Sequence, residues 1–369
     1  MISFALTDEQ RLLRETVRKF AQTELREVAR ACDEASRLPD ELLATVADLG
    51  LVAGVMPESF GGGGSDRSPV TNTLLAEELG AGDSSLGLAA VAPALFAIPV
   101  LEFGTEAQKE QLLPMFSEPG FHAASMALHE AHFGFDAAAL RTVAAPAPGG
   151  YRLTGSKRFV PLGDRASHIL VIARLEESGL EGLEAFVVPR DSKGLECAPE
   201  PEKTLGLQAL PTAALELDGV EVASEARLGG ENGIDGARLI NLCRVAGAAF
   251  AVGASRTVLE YATAYAKDRL VSGRPIAQKQ AIAFMLADME VEVNAMRHLV
   301  WKAASELEQR RDASRMATLA SDYVRRKSME IADKGVQILG GHGYIRDYPM
   351  EMWYRNMRAL TILDGVGIV

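Results

Sequence analysis

"QILGGHGYIRDYPMEMWYRNMRALTILDG", residues 337–365, carries two signals that organise the whole chain. It begins where a long helical pattern stops. The stretch "SRMATLASDYVRRKSMEIADKGVQIL" (314–339) runs into Gly340-Gly341, and glycine is the residue that closes helices. It ends on Asp364-Gly365, a strong turn dipeptide. Asp364 therefore reads either as a turn residue or as a carboxylate placed for general-base work.

Upstream the helical period continues. It returns at about residue 233 and covers "RVAGAAFAVGASRTVLEYATAYAKDRL" (244–270), which stops at Gly273 and Pro275. "KQAIAFMLADMEVEVNAMRHLVWKAASELEQRR" (279–311) follows, with Met285, Met289 and Met296 on one helical stripe expected in the core. Such long amphipathic helices pack as an antiparallel bundle. From about 121 to 228 the period changes. "HAASMALHE", "GYRLTGSKRFV", "SHILVIARLE", "EAFVVPRD" and "AALELDGVEV" are short runs bounded by Gly, Pro and Asp, as in a small β-barrel or sandwich. Residues 1–120 are again helical. A capping box at Thr7 and Gln10 opens "LTDEQRLLRETVRKFA", and Asp40 and Gly50 are read as the N-cap and C′ residues of another helix. The expected fold is mostly α with a central β-barrel, divided at 1–120, 121–228 and 229–369.

Composition excludes several functions. A net charge of −12 argues against non-specific nucleic-acid binding, which needs a basic surface. Three scattered cysteines (Cys32, Cys197, Cys243) suit a reduced, cytoplasmic setting. The N-terminus meets Asp8 too early for a secretory signal. "LGLAAVAPALFAIPVL" (86–101) is short of a bilayer span and contains two prolines, so a buried helix or helix pair is expected and no membrane span. "FGGGGSD" (60–66) lacks both the Gly-Lys-Ser/Thr ending of a phosphate loop and the G-x-G-x-x-G spacing, and reads as a flexible surface loop. "HEAH" (129–132) has its histidines three apart on an expected strand, where they face opposite ways, so no metal site is expected.

Four segments together resemble the acyl-CoA dehydrogenase family: "LPDELLATVADLGLVAGVMPESFGG", "GYRLTGSKRFV", "AYAKDRLVSGRPIAQKQAIAFMLADME" and the stretch at 337–365. The resemblance covers essentially the whole chain. It implies a helical domain, a β-barrel and a helical bundle, usually assembled as tetramers. It implies FAD held without a dinucleotide fingerprint, a thioester substrate on CoA or a carrier protein, a role in fatty-acid metabolism, and an electron-transfer flavoprotein as partner. The chemistry it implies moves the substrate's α-proton to a carboxylate and its β-hydride to flavin N5.

Aligning Pro349, Arg355 and Gly365 with the family's closing segment puts Asp364 where the family has a glutamate base. The other place where relatives carry the base holds Cys243 here, which reads as a core residue. By the same resemblance Met126, Leu128, His129, Phe159 and Pro161 face the flavin. Arg269, Gln280, Gln337, Gly340 and Gly341 match positions that hold the pyrophosphate and adenosine of a neighbouring subunit's FAD. Phe135, Asn241 and Arg244 fall where substrate is met. His129, Phe135, Pro161 and Val366 replace residues that bear hydroxyls in the family. At about 1 kcal/mol per lost donor, roughly 3 kcal/mol or a hundredfold in affinity is at stake, with His129 able to restore one bond. Relatives also continue past the position of Val369 into a further helix that helps cover the site. Two alternatives stay open. One is a non-catalytic subunit paired with an intact paralogue in a heterotetramer. The other is a same-fold flavin oxidase of the nitroalkane oxidase type, which has aspartate as its base.

Overall fold

The computed structural model describes residues 5–63, 67–175 and 179–369. The readings of the N-terminal tetrapeptide and of residues 64–66 in the glycine loop lie outside that range. The structure is 57% helical.

The N-terminal part contains α1 (Asp8–Phe20), α2 (Arg26–Ala35), α3 (Asp40–Leu49), α4 (Pro69–Gly82), α5 (Ser84–Ala90), α6 (Ala94–Phe103) and α7 (Glu106–Leu112). The capping box at Thr7 is present, with Gln10 N–H donating to the threonine hydroxyl at 3.1 Å. The cap of α3 differs from expectation. Pro39 holds the N-cap position, and Asp40 is the first helical residue, where its negative charge still favours the helix N-terminus. Gly50 takes the left-handed conformation that ends α3. The apolar run at 86–101 forms the bent pair α5 and α6, both buried.

Seven strands follow: β1 (Ala124–Ala127), β2 (Val143–Ala147), β3 (Gly150–Pro161), β4 (His168–Arg174), β5 (Leu183–Pro189), β6 (Leu195–Cys197) and β7 (Thr212–Ala223). They pair in the order β1-β4-β2-β3-β7-β6, with β5 on β4. The expected barrel is therefore a curled, open half-barrel. Its side-chain alternation shows why closure is unnecessary. On β4, Ile169, Val171 and Ala173 point into the sheet's own small core, whereas Leu170 and Ile172 point into the helical core. The second face is covered by helices, α6 against β1 among them, so the sheet does not have to close on itself. "HEAH" is not a strand. β1 ends at Ala127, and residues 129–132 form the loop that leaves it.

The last part is the bundle. α8 (Gly236–Asp268) runs through its centre and is long and apolar enough to cross a membrane, but 78% of its apolar window is buried. A hairpin of β8 (Leu270–Val271) and β9 (Arg274–Pro275) turns the chain, with Ser272 and Gly273 at positive φ. Then come α9 (Gln280–Glu308), α10 (Ser314–Leu339), α11 (Gly341–Tyr344) and α12 (Met350–Leu360). Met289 and Met296 are fully buried and Met285 half-buried. Glu77 and Glu78 of α4 tie the helices together. Glu78 binds Arg14, Arg18 and Arg256, while Glu77 binds Arg256 and Arg297. Burial alone would raise the Glu78 carboxyl, but the guanidinium hydrogen bonds bring it down to about 2.

Candidate active site

α12 sets the position of Asp364, and all three parts of the chain hold α12. The buried Asn356 side chain accepts from the Leu207 N–H at 2.7 Å and donates to Asp83 at 3.3 Å. Asp83 in turn caps α5 through the Leu86 N–H. The adjacent Arg355 pairs with Asp33 on α2. Asn356→Leu leaves the Leu207 N–H unpaired in the core, so a loss of about 1–3 kcal/mol is expected in chemical denaturation.

Beyond α12 the chain turns at Gly365, with φ +73°. A Cβ there would sit 2.8 Å from a methyl of Leu128, so only glycine allows both the turn and the close approach to the end of β1. Asp364 is thus delivered between β1 on one side and α8 and α10 on the other. Its negative charge reaches the His129 imidazole. Burial lowers the imidazole's basicity, and Asp364 opposes that effect. Its charge also reaches Cys243, whose thiol is pushed up mainly by burial and further by Asp364. Cys243 is 5% exposed and is a core residue.

The flavin-facing residues of the sequence reading cluster on the β1–β3 side. His129 stacks on Phe135 at 4.2 Å between ring centroids and meets Phe159 edge-on at 5.2 Å. Phe159 sits where the register of β3 against β7 shifts, between Lys157 and Val160. Its φ of +54° is rare for an aromatic residue and marks a locally constrained site. Its N–H donates to Glu202 at 2.6 Å. Met126, Leu128 and Pro161 are buried.

Under the cluster lies a fully buried ion pair. Lys157 donates to Glu130 at 2.9 Å and to the Leu128 carbonyl at 3.1 Å. Glu130 also accepts from Arg141 N–H, Thr142 N–H and the Thr142 hydroxyl. Burial works to raise Glu130, and the Lys157 charge with these donors outweighs it, bringing the carboxyl to about 2.

Arg269, Gln280, Gln337, Gly340 and Gly341 are exposed on the bundle. Among the described residues, no hydrogen bond or ion pair joins them to the 126–135 segment. Asn241 and Arg244 lie on α8. Asn241 donates to Ser314 at 3.1 Å and Arg244 to Thr318 at 3.1 Å. Asn241 borders a hollow of about 390 Å³ lined also by Arg238, Arg310 and Arg311 and by Asp235 and Asp312, with Arg238 and Arg310 paired to Glu102. The sequence reading missed Arg325. On α10, its guanidinium pairs directly with the Asp364 carboxylate. "YVRRK" gives no hint of this, because basic residues on a helix usually mark a solvated face. Glu202 and the Glu130–Lys157 pair were missed as well. Lys157 and Glu130 stand in segments singled out for other reasons, and only the fold pairs them.

A helical domain, a half-barrel and a helical bundle, with an acidic turn set against the end of β1, define a class of flavoenzyme architecture. Family profiles match in the same order. The N-terminal, middle and C-terminal domains of acyl-CoA dehydrogenase match residues 7–118, 125–220 and 236–367. An acyl-CoA dehydrogenase of Bacillus subtilis is 35% identical over 98% of this chain and 96% of its own. The caffeyl-CoA reductase–Etf complex subunit CarC of Acetobacterium woodii is 32% identical over 98% of this chain and 96% of its own. The structure of butyryl-CoA dehydrogenase from Megasphaera elsdenii superposes with a TM-score of 0.89 at 30% identity, covering 98% of this chain and 95% of that one. The chain belongs to the acyl-CoA dehydrogenase family. It is an FAD-dependent oxidoreductase acting on CH–CH groups.

The residues present fit that cofactor. His129 Nδ1 is buried without a hydrogen-bond partner, a polar atom that the edge of a flavin ring would satisfy. Phe135 and Phe159 give the same place aromatic walls.

Proposed function

We propose that this protein dehydrogenates an acyl-CoA between its α and β carbons, with Asp364 as the base. The observation that carries the proposal is the Gly365 turn, which sets a carboxylate against the end of β1 beside His129. FAD, when bound, supplies the two-electron acceptor. Asp364 takes the α-proton as the α C–H bond breaks, and the electron pair passes onto the thioester carbonyl. The backbone N–H of Asp364 donates to that oxygen as charge develops there. His129, Phe135, Phe159 and Pro161 form the floor for the flavin ring, with Met126 and Leu128 behind. Arg269, Gln280, Gln337, Gly340 and Gly341, exposed and apart from that floor, serve a neighbouring subunit's FAD. Arg311 in the hollow at Asn241 supports CoA rather than a carrier protein, because a guanidinium group suits its phosphates, although Arg238 and Arg310 there are paired with Glu102, and Asp235 and Asp312 share the lining. The likeness to an Etf-complex subunit supports an electron-transfer flavoprotein as acceptor.

The test is anaerobic. The FAD-loaded protein is mixed with a panel of acyl-CoAs, and bleaching of the flavin band is followed. Bleaching with at least one of them is expected, and failure with every one overturns the proposal.

Two further results are expected. The missing hydroxyls at Phe135, Pro161 and Val366 should weaken FAD binding about a hundredfold relative to a family site that has them. The flavin band before and after extensive dialysis measures this, and retention throughout dialysis would show that His129 and backbone groups replace the lost bonds. The protein should also run as a tetramer in light scattering. Phe284 and Val291 lie seven apart on one face of α9 and are 60% and 67% exposed, and Leu270, Tyr344 and Ile345 add apolar surface. A monomeric mass would contradict this.

The second reading, a non-catalytic partner subunit, is favoured by one observation: Asp364 is engaged by Arg325. It predicts no flavin in the purified protein even after FAD is added.

A further inference from the structure

Asp364 and Arg325 are about one-third exposed, at 31% and 35%, and border a cavity of only about 20 Å³. That is room for about one water molecule. Through this cavity an acyl group reaches the base only if the side chains around it rearrange, and the Arg325–Asp364 pair is the contact in the way. The charged residues lining the cavity are Arg244, Arg325 and Asp364. Among the described residues Arg244 has no carboxylate partner and donates to the Thr318 hydroxyl. Two guanidinium groups thus face one carboxylate. The rest of the lining is mostly small or apolar, Gly247, Ala248, Val324 and Leu363 among it, with two hydroxyls from Ser321 and Thr361.

We propose that Arg325 is a specificity residue that recognises a second carboxylate on the acyl group, so that the preferred substrates are short dicarboxylic monothioesters. The proposal rests on the dehydrogenase reading given above. Its physical basis is exchange of ionic partners. A substrate carboxylate takes Arg325 in the bidentate geometry that guanidinium favours, and Asp364 is released toward the α-carbon. Two guanidinium groups then face two carboxylates. When the α C–H bond breaks and Asp364 gains the proton, the negative charge moves to the thioester oxygen, and the site's net charge is unchanged. A neutral acyl chain has no group to offer. It would leave Arg325 on Asp364, or leave a partly buried guanidinium unpaired once Asp364 is protonated. The chain must be short, because Arg325 touches the base itself. The carboxylate has to lie two or three carbons from the α-carbon.

The experiment compares ligands that share CoA and chain length and differ in the terminal carboxylate, so the phosphates of CoA cancel. Binding is read by calorimetry on the oxidised, FAD-loaded protein with the unsaturated products glutaconyl-CoA and 2-pentenoyl-CoA, which have no saturated α,β bond left to dehydrogenate. Flavin bleaching is read with glutaryl-CoA and valeryl-CoA. The wild type is expected to bind glutaconyl-CoA about ten- to a hundredfold tighter than 2-pentenoyl-CoA, and Arg325→Met to lose that preference. Arg325→Lys should keep part of it. Equal binding of the two ligands by the wild type overturns the inference without needing any variant. So does a preference that survives in Arg325→Met. If valeryl-CoA bleaches the flavin as well as glutaryl-CoA does, the inference falls and the dehydrogenase reading stands. If neither CoA ester binds or bleaches, both fall.

Discussion

Asp364→Asn is expected to slow flavin reduction by any true substrate by about two to four orders of magnitude, the usual cost of removing a general base. Asparagine keeps the shape and removes the proton acceptor. It also keeps one oxygen for Arg325, so the turn at Gly365 and the packing against Leu128 should survive. The loss should therefore appear in the rate of bleaching under anaerobic stopped flow, with the melting temperature little changed. Asp364→Glu probes the missing methylene. A carboxylate withdrawn by about 1 Å can cost about a hundredfold in rate. If the site is otherwise ordinary, restoring the longer side chain should speed reaction with straight-chain acyl-CoAs. If Asp364→Asn bleaches as fast as wild type, Asp364 is a turn residue and nothing more.

Asp364-Gly365 shows what sequence can and cannot carry. Helical periodicity gave the order helical, β, helical, because amphipathic helices and alternating strands leave local signatures that survive without tertiary context. Asp364 was legible only through its neighbours in the family's closing segment. The turn and the placement of the carboxylate are one device, since the Gly365 turn is what brings Asp364 to β1. The half-barrel was misread as a barrel because closure depends on which strands pair at long range. β4 takes β1 and β5 as partners, and no local pattern encodes that. Asp40 was read as an N-cap by its residue type alone, and the proline before it was overlooked. Arg325 was invisible for a stronger reason. Its partner is 39 residues away, and it stands among other basic residues on a helix that looks solvated. Charge pairs between distant segments have no sequence period, so the electrostatics of the site had to come from the fold.

The Glu130–Lys157 pair gives the largest expected effect on stability. Lys157 is fully buried, and its ammonium lies under the loop that carries His129. Lys157→Met removes one charge and leaves Glu130 ionised among its backbone and hydroxyl donors. Breaking one side of a buried pair typically costs about 3–5 kcal/mol, because the remaining charge is uncompensated. Replacing both members with apolar residues of similar volume should cost less than Lys157→Met alone, and that inequality separates the pair's coupling from the loss of packing. The pH dependence has a definite sign. Glu130 is held at about 2, below its ordinary 4.5, so its contribution is complete above about 4.5 and fades as pH falls toward about 2. Denaturant midpoints measured across that range should fall more steeply for wild type than for Glu130→Gln. The same loop positions His129 against Phe135 and Phe159, so Lys157→Met should also release flavin more readily on dialysis. A variant that keeps both its denaturant midpoint and its flavin would mean that the Arg141 and Thr142 donors alone hold Glu130, with Lys157 contributing little to the site's foundation.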